Sequence, residues 1–140
     1  MIALTFVNRT RGRVPRRRLE RLLARAGKKL SNRNTPRISA LALVFITPAE
    51  SRRLKKRFGG RDRVADVLSF RYGSEGEIFL SPGVIRQEAR ISGKPYDRLL
   101  DAMLIHGFLH LSGYHHEGSS LRARRFEAHE QALHRRLGLA

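Results

Sequence analysis

Apolar residues recur along this chain with two different periods, and these periods predict which segments are strands and which are helices. Short apolar runs at Ala3–Val7 and Ile38–Ile46 predict strands, and the second run is apolar enough to be buried on both faces. Between them, from about Pro15 to Leu30, leucine and alanine recur every three or four residues. This spacing predicts an amphipathic helix whose other side is filled by Arg and Lys.

The middle of the chain predicts a second helix followed by a hairpin. The sequence Thr-Pro-Ala-Glu at 47–50 is a helix start, and the helix is expected to stop at the glycines at 59–60. The segments Asp66–Tyr72 and Glu77–Leu80 then read as two strands, with Gly73–Gly76 as the turn between them.

Three further helices are predicted in the last part of the chain, at about 81–92, 96–112 and 119–137, with Gly113 ending the second of them. The resulting order is β α β α β β α α α. It predicts an α+β fold, with a mixed four-stranded sheet packed with about five helices. The length of 140 residues is that of a single domain, 1–140.

Charge adds a functional indication to this fold. The chain has 29 Lys and Arg against 12 Asp and Glu, a formal net charge of +17. Such a balance favours a nucleic acid partner over an anionic membrane, and the alternative is a charge-rich surface that only faces water. The chain has no cysteine, so disulfides are excluded and a metal would need His or carboxylate ligands. No apolar run is long enough for a membrane span or a secretory signal, so we expect a cytoplasmic protein.

Histidines at three positions have the spacing of a metal site. His106 and His110 lie four residues apart on a predicted helix, about 40° apart around its axis and one turn apart along it. Gly113 allows the chain to reverse, so that His116 can return to the same ion, although the neighbouring His115 is an alternative third ligand. Three imidazoles predict one Zn²⁺ per chain with an open fourth position, on a helix in the C-terminal half and its following turn.

The same spacing of ligands occurs in metzincin proteases, but one position differs. Those proteases carry the glutamate that acts as general base directly after the first histidine. Here that position is Gly107, so the peptidase interpretation is disfavoured. The two histidines of the last helix, His129 and His134, are expected on the surface.

The histidine segment resembles the signature of a known family. The pattern His-Gly-x-Leu-His-Leu-x-Gly-Tyr-x-His at 106–116 is similar to that of the YbeY family of bacterial endoribonucleases, also called rRNA maturation factors. The similarity extends over nearly the whole chain. It includes Asp-Val-Leu-Ser-Phe at 66–70, Gly-Glu-Ile at 76–78 in place of the family's Gly-Asp-Ile, Gly-Lys-Pro at 93–95 and Leu-Gly at 137–138.

This resemblance implies a mixed sheet with surrounding helices and a zinc ion held by His106, His110 and His116. It also implies cleavage of single-stranded RNA, with roles in 16S rRNA 3′-end maturation and ribosome quality control. The implied partners are rRNA, the small ribosomal subunit and an Era-like GTPase, with neither a membrane nor a small-molecule cofactor.

Two positions depart from the family pattern. The family has Asp before the third histidine, where this chain has His115. It also has Arg after the aromatic residue at position 58, where this chain has Gly59. We hypothesise that Arg57 or Arg61 substitutes for the missing arginine.

The chemistry that these residues predict is metal-assisted phosphodiester hydrolysis, in which zinc activates water and polarises a phosphoryl oxygen. Arginines near the site would hold the flanking phosphates of the RNA; the candidates are Arg57, Arg61, Arg63 and Arg71. The candidate catalytic residues are Arg61, with His115 or Glu117 as general base. Two alternatives stay open: a non-catalytic, zinc-containing assembly factor that binds rRNA, and a metalloprotease.

Overall fold

The computed structural model describes residues 2–29, 37–57, 67–113 and 120–139. These residues form strands and helices in the predicted order: β1 (Ala3–Asn8), α1 (Arg16–Lys29), β2 (Ala40–Phe45), α2 (Pro48–Arg57), β3 (Val67–Tyr72), β4 (Glu75–Leu80), α3 (Pro82–Ser92), α4 (Tyr96–Leu111) and α5 (Ser120–Leu137). The α+β class, the four strands and the five helices are thereby confirmed. None of the helices in these ranges is long and apolar enough to cross a membrane.

The four strands form one mixed sheet in the order β1-β2-β4-β3. The pairs β1–β2 and β2–β4 are parallel, while β3 and β4 are antiparallel and form the predicted hairpin. The predicted turn Gly73–Gly76 is too long and the predicted strand start at Glu77 is wrong. Strand β4 begins at Glu75, because this residue already pairs with Tyr72 across the hairpin. Gly73, with φ +62, then allows a turn of two residues.

The boundaries of β2 also differ from the prediction, because the strand begins at Ala40 rather than Ile38. Alternation along the strands explains which side of the sheet is buried. Leu41, Leu43 and Phe45 of β2 belong to the hydrophobic core on the side of the helices. On the other side, Val44 is buried while Ala42 and Glu77 are only partly buried, so this face is less fully covered.

The core on the helical side is filled by α1, α4 and α5. The buried residues of α1 recur at the predicted spacing, namely Leu19, Leu22, Leu23 and Ala26. Leu133 and Leu137 add one side of α5 to the same core. Helix α4 is the central helix, since half of its residues are buried and it contacts both strands of the hairpin as well as α1, α3 and α5.

Helix α4 approaches the hairpin closely because two glycines lie at the contact. A Cβ atom at Gly107 would lie 2.8 Å from Ser69 Oγ and 3.0 Å from Val67 Cγ2. On the strand side, a Cβ atom at Gly76 would lie 2.9 Å from Leu111 Cδ1. All three distances are shorter than normal contacts between nonbonded atoms, so a larger residue at either position would force neighbouring atoms to shift.

Helix α4 also makes polar contacts with α1. Arg18 donates hydrogen bonds from Nη1 to both carboxylate oxygens of Asp101, at 2.6 and 2.7 Å, and from Nη2 to Asp97 at 3.3 Å. Burial raises the pKa of Asp101, and the neighbouring charge of Arg18 opposes this effect. The contact orients α4 at its N-terminal half, and the candidate site lies at its other end.

Candidate metal and RNA site

His106 and His110 face one another on successive turns of α4, as their spacing predicts. Their Nε2 atoms are 3.2 Å apart, and the two rings meet at an angle of 65°. Two nitrogen ligands of a tetrahedral zinc ion, each about 2.0–2.1 Å from the metal, lie about 3.3–3.4 Å apart. The two imidazoles are therefore already placed at nearly the separation that a shared ion requires.

A carboxylate on α5 holds the first of these rings. Nδ1 of His106 lies 2.8 Å from Oε2 of Glu130, and both side chains are largely buried. Because a carboxylate only accepts hydrogen bonds, Nδ1 carries the proton and Nε2 presents its lone pair towards His110. Glu130 thus fixes the tautomer and the ring orientation that a metal ligand needs.

A third histidine, His134 of α5, lies near His106 of this pair. The prediction that it is a surface residue is wrong, because it is only partly exposed and its Nε2 is buried without a hydrogen-bond partner among the residues that the structure describes. Burial lowers the pKa of His134, an effect that nearby Glu130 opposes and nearby His106 reinforces. His129, in contrast, is exposed as predicted.

Strand β3 fixes the end of α4 from the opposite side. Arg71 donates from Nη1 to the carbonyl oxygen of Leu111, in the last turn of the helix, and from Nε to the carbonyl oxygen of Gly73. The hydroxyl of Ser69 donates to the carbonyl oxygen of Gly107 at 3.2 Å. These contacts position the backbone that carries His110. The predicted contact of Arg71 with RNA stays a prediction.

Most of the other predicted site residues lie outside the described ranges. They are Arg61, Arg63, His115, His116 and Glu117, so their predicted roles stay predictions. Arg57 is described as the exposed last residue of α2, and its predicted contact with RNA likewise stays a prediction. Within the described ranges, no three candidate ligands converge on one point, since only two of the predicted ligands fall there.

The arrangement nevertheless fits a zinc ion in its donor chemistry. His106 and His110 supply two nitrogen ligands at a suitable separation, and a carboxylate beyond the first ligand raises its basicity. Gly107, between them in sequence, faces the sheet rather than the histidines. A glutamate at this position would crowd Ser69 and Val67, which is a physical reason to disfavour the protease interpretation.

Glu130 is the residue of this site that reasoning from the sequence missed. It lies 24 residues after His106 in the chain, so no local spacing connects the two. A signal was nevertheless present in the sequence. Glu130 lies three residues before Leu133 and seven before Leu137, on the stripe that is buried against the core. A carboxylate at a core position needs a buried partner, and this requirement indicates a functional role.

Comparison with known proteins points to one family. The family model described as endoribonuclease YbeY matches residues 6–138. Relatives named endoribonuclease YbeY include one from Bordetella pertussis, 36% identical over 91% of this chain and 86% of its own, and one from Limosilactobacillus reuteri, 30% identical over 93% and 94%. One from Bdellovibrio bacteriovorus is 40% identical over 59% of this chain, and that match spans 57% of the relative's own length.

The fold itself has a solved counterpart. A solution structure from Thermotoga maritima is similar with a TM-score of 0.58, covering 94% of this chain and 89% of its own at 24% sequence identity. That identity supports a shared fold and no more. The family model covers nearly all of the chain and the relatives match most of it, so this chain belongs to the endoribonuclease YbeY family.

Proposed function

We propose that this protein is a zinc-dependent endoribonuclease that cleaves single-stranded RNA, with the metal held by His106, His110 and His116. The observation that carries the proposal is the 3.2 Å approach of the Nε2 atoms of His106 and His110, with the first ring fixed by Glu130. Membership of an endoribonuclease family and a net charge of +17 support RNA as the substrate.

Different residues of the chain have different roles in the proposed hydrolysis. A bound zinc ion would supply a Lewis acid that polarises a phosphoryl oxygen and activates water. Glu130 holds His106 in the tautomer that such an ion requires. Arginines would bind the flanking phosphates of the RNA. The candidates are Arg57, Arg61, Arg63 and Arg71. His115 or Glu117 would accept the proton from water.

In the cell, we propose that the enzyme acts in the cytoplasm on the 3′ end of 16S rRNA and in ribosome quality control. The small ribosomal subunit and an Era-like GTPase are its proposed partners. The sequence also favours one alternative, because Gly59 and His115 replace the Arg and Asp of the family pattern. In that alternative the protein binds rRNA and zinc but does not cleave.

The decisive experiment is cleavage of single-stranded RNA by the purified protein beside a His110→Ala variant prepared in the same way. We expect the wild type to cleave, to lose activity in a chelator and to recover it when zinc is restored, while the variant stays inactive. Equal cleavage by both proteins would contradict the proposal. Zinc bound by a wild type that cleaves no RNA would support the assembly factor instead.

A further inference from the structure

A cavity lined by basic residues lies at the opposite end of α4 from the histidines. Side chains at the end of α3 and the start of α4 surround an open cavity of about 420 Å³, within the size range of ligand sites. Its lining consists of Arg86, Ala89, Arg90, Lys94 and Tyr96. Three cationic residues therefore line one open cavity, and none of them belongs to the site described above.

Among the described residues, these cations are not neutralised by ion pairs. Within the ranges that the structure describes, no carboxylate forms an ion pair with Arg86, Arg90 or Lys94. Glu88 lies between Arg86 and Arg90 in the sequence of α3, and Asp97, three residues after Lys94, pairs with Arg18 at 3.3 Å. Because Arg86 and Arg90 lie four residues apart on one side of α3, they repel each other, and a bound anion would relieve this repulsion.

One of the three cations is held in place for binding. The guanidinium of Arg86 lies over the ring of Tyr96, with Cζ 4.8 Å from the ring centroid. This contact fixes the plane of the guanidinium, whose edge can donate two parallel hydrogen bonds to a phosphate. A Cβ atom at Gly12 would lie 3.8 Å from Arg86 Nη1, so the basic segment that contains Arg11 and Arg13 borders the same place.

The position of the cavity relative to the histidines suggests what the anion belongs to. Tyr96 and His106 are ten residues apart on α4, about 15 Å along an α-helix and about 80° around it. A separation of this size is within the reach of a single strand of RNA several nucleotides long.

We propose that this cavity binds a backbone phosphate of the RNA strand several nucleotides away from the bond that is cleaved. The inference rests on the proposed function, because it assumes that RNA is the substrate at the histidine site. It predicts that long strands bind through two places and that short ones bind through the histidine site alone.

The test removes charge from the cavity and, separately, from elsewhere. Arg90→Gln with Lys94→Gln removes two exposed cations and leaves the contact between Arg86 and Tyr96 in place. The matched control, Arg25→Gln with Lys28→Gln, removes one exposed Arg and one exposed Lys from α1. All four positions are exposed, so we expect both variants to fold normally.

Binding of a single-stranded RNA of about 16 nucleotides, measured at several salt concentrations in a His110→Ala background, gives the first result. If the one phosphate contact is lost, the slope of log affinity against log salt becomes shallower by about 0.7 in the cavity variant. The control pair should keep the slope of its parent. Equal slopes for the cavity and control variants would overturn the proposal.

Cleavage kinetics in the otherwise wild-type protein give the second result and separate the two proposals. The cavity variant should show a raised KM for the long strand and unchanged kinetics for a dinucleotide. If the wild type cleaves and the long-strand KM of the cavity variant equals that of the control, the cavity proposal fails alone. If the wild type cleaves no RNA, the proposed function fails, and the salt dependence of RNA binding still tests the cavity.

Binding of inorganic phosphate is a further measurement. Phosphate binding that is lost in the cavity variant, with unchanged salt slopes for RNA, would identify a small-anion site and overturn the RNA assignment.

Discussion

The two sides of helix α4 use adjacent residues for opposite purposes. On one side, Gly107 packs against Ser69 and Val67 of the hairpin, where there is no room for a side chain. On the other side, His106 presents an imidazole between His110 and the carboxylate of Glu130. The glycine is therefore required by packing, whereas the histidine is held by polar contacts that packing alone would not need.

This difference separates the YbeY arrangement from the protease arrangement that shares its histidine spacing. A glutamate after the first histidine can act as general base only if that helix side faces the metal. In this fold the corresponding side faces the sheet. The same spacing of histidines is therefore compatible with different surroundings, and the packing at Gly107 disfavours a glutamate there.

The largest expected effect comes from placing the protease residue in this protein. Gly107→Glu would push a charged side chain into the contact with Ser69 and Val67. Overpacking and an unpaired buried charge together should cost about 4 kcal/mol or more, a large fraction of the roughly 5–15 kcal/mol by which such domains are stable. Urea unfolding would measure this loss. A well-folded variant that cleaves casein would contradict our account of this side of α4.

A gentler pair of changes sharpens the same prediction. Gly107→Ala should destabilise the protein by about 1 kcal/mol, because overpacking exceeds the gain of about 1 kcal/mol in helix propensity. Gly27 is a helical glycine in α1, where an added Cβ would meet only Ile2 Cδ1 at an ordinary 3.5 Å. Gly27→Ala should therefore stabilise the protein by about 0.5–1 kcal/mol. Effects of equal sign at the two glycines would show that packing does not distinguish them.

The next effect is expected on zinc affinity, from a change on the side of α4 that carries His106. Glu130→Gln removes the carboxylate charge that holds His106. It should lower zinc affinity about tenfold to a hundredfold, the usual effect of removing a group that is hydrogen-bonded to a metal ligand. Competition with a chelator of known affinity would measure it. The control is Glu127→Gln, which removes an exposed carboxylate from the same helix. Equal zinc affinities in the two variants would mean that Glu130 does not act on the metal site.

The fold was largely predictable from the sequence, because its signals are local. The leucines of α1 recur at helical spacing, and the capping sequence at 47–50 begins α2, where Thr47 Oγ accepts a hydrogen bond from the Glu50 amide. The start of β4 was not predictable in the same way. Gly76 is typical of a turn, but its pairing with Arg71 and its contact with Leu111 keep it in the strand.

The site was predictable only where its residues are close in the chain. His106 and His110 are one helical turn apart, so their convergence follows from helix geometry alone. Glu130 and His134 reach the same place from α5 through the tertiary packing of two helices. Spacing along a sequence carries no information about such a contact. Only the unusual presence of polar residues on a buried side of α5 indicated it.

The smallest expected effect comes from changing the contact between Gly107 and Ser69 by itself. Ser69→Ala removes the hydrogen bond to the Gly107 carbonyl oxygen and should cost about 1 kcal/mol. It also removes the oxygen atom that lies nearest to a new Cβ at position 107. Combined with Gly107→Ala, it should therefore cost less than the sum of the two single changes, by about 0.5–1 kcal/mol.

The relief in this double variant is only partial, because Val67 Cγ2 and Ile78 Cγ2 would still lie 3.0 and 3.2 Å from the added atom. The control combines Gly107→Ala with Ser39→Ala, whose hydroxyl contacts Ser74 instead. Those two changes share no contact and should add within about 0.5 kcal/mol. Urea unfolding of all the variants gives both coupling energies. Additivity in the Ser69 pair would mean that α4 shifts away from the hairpin instead of pressing on it, and the depth of this packing would then not be what keeps position 107 a glycine.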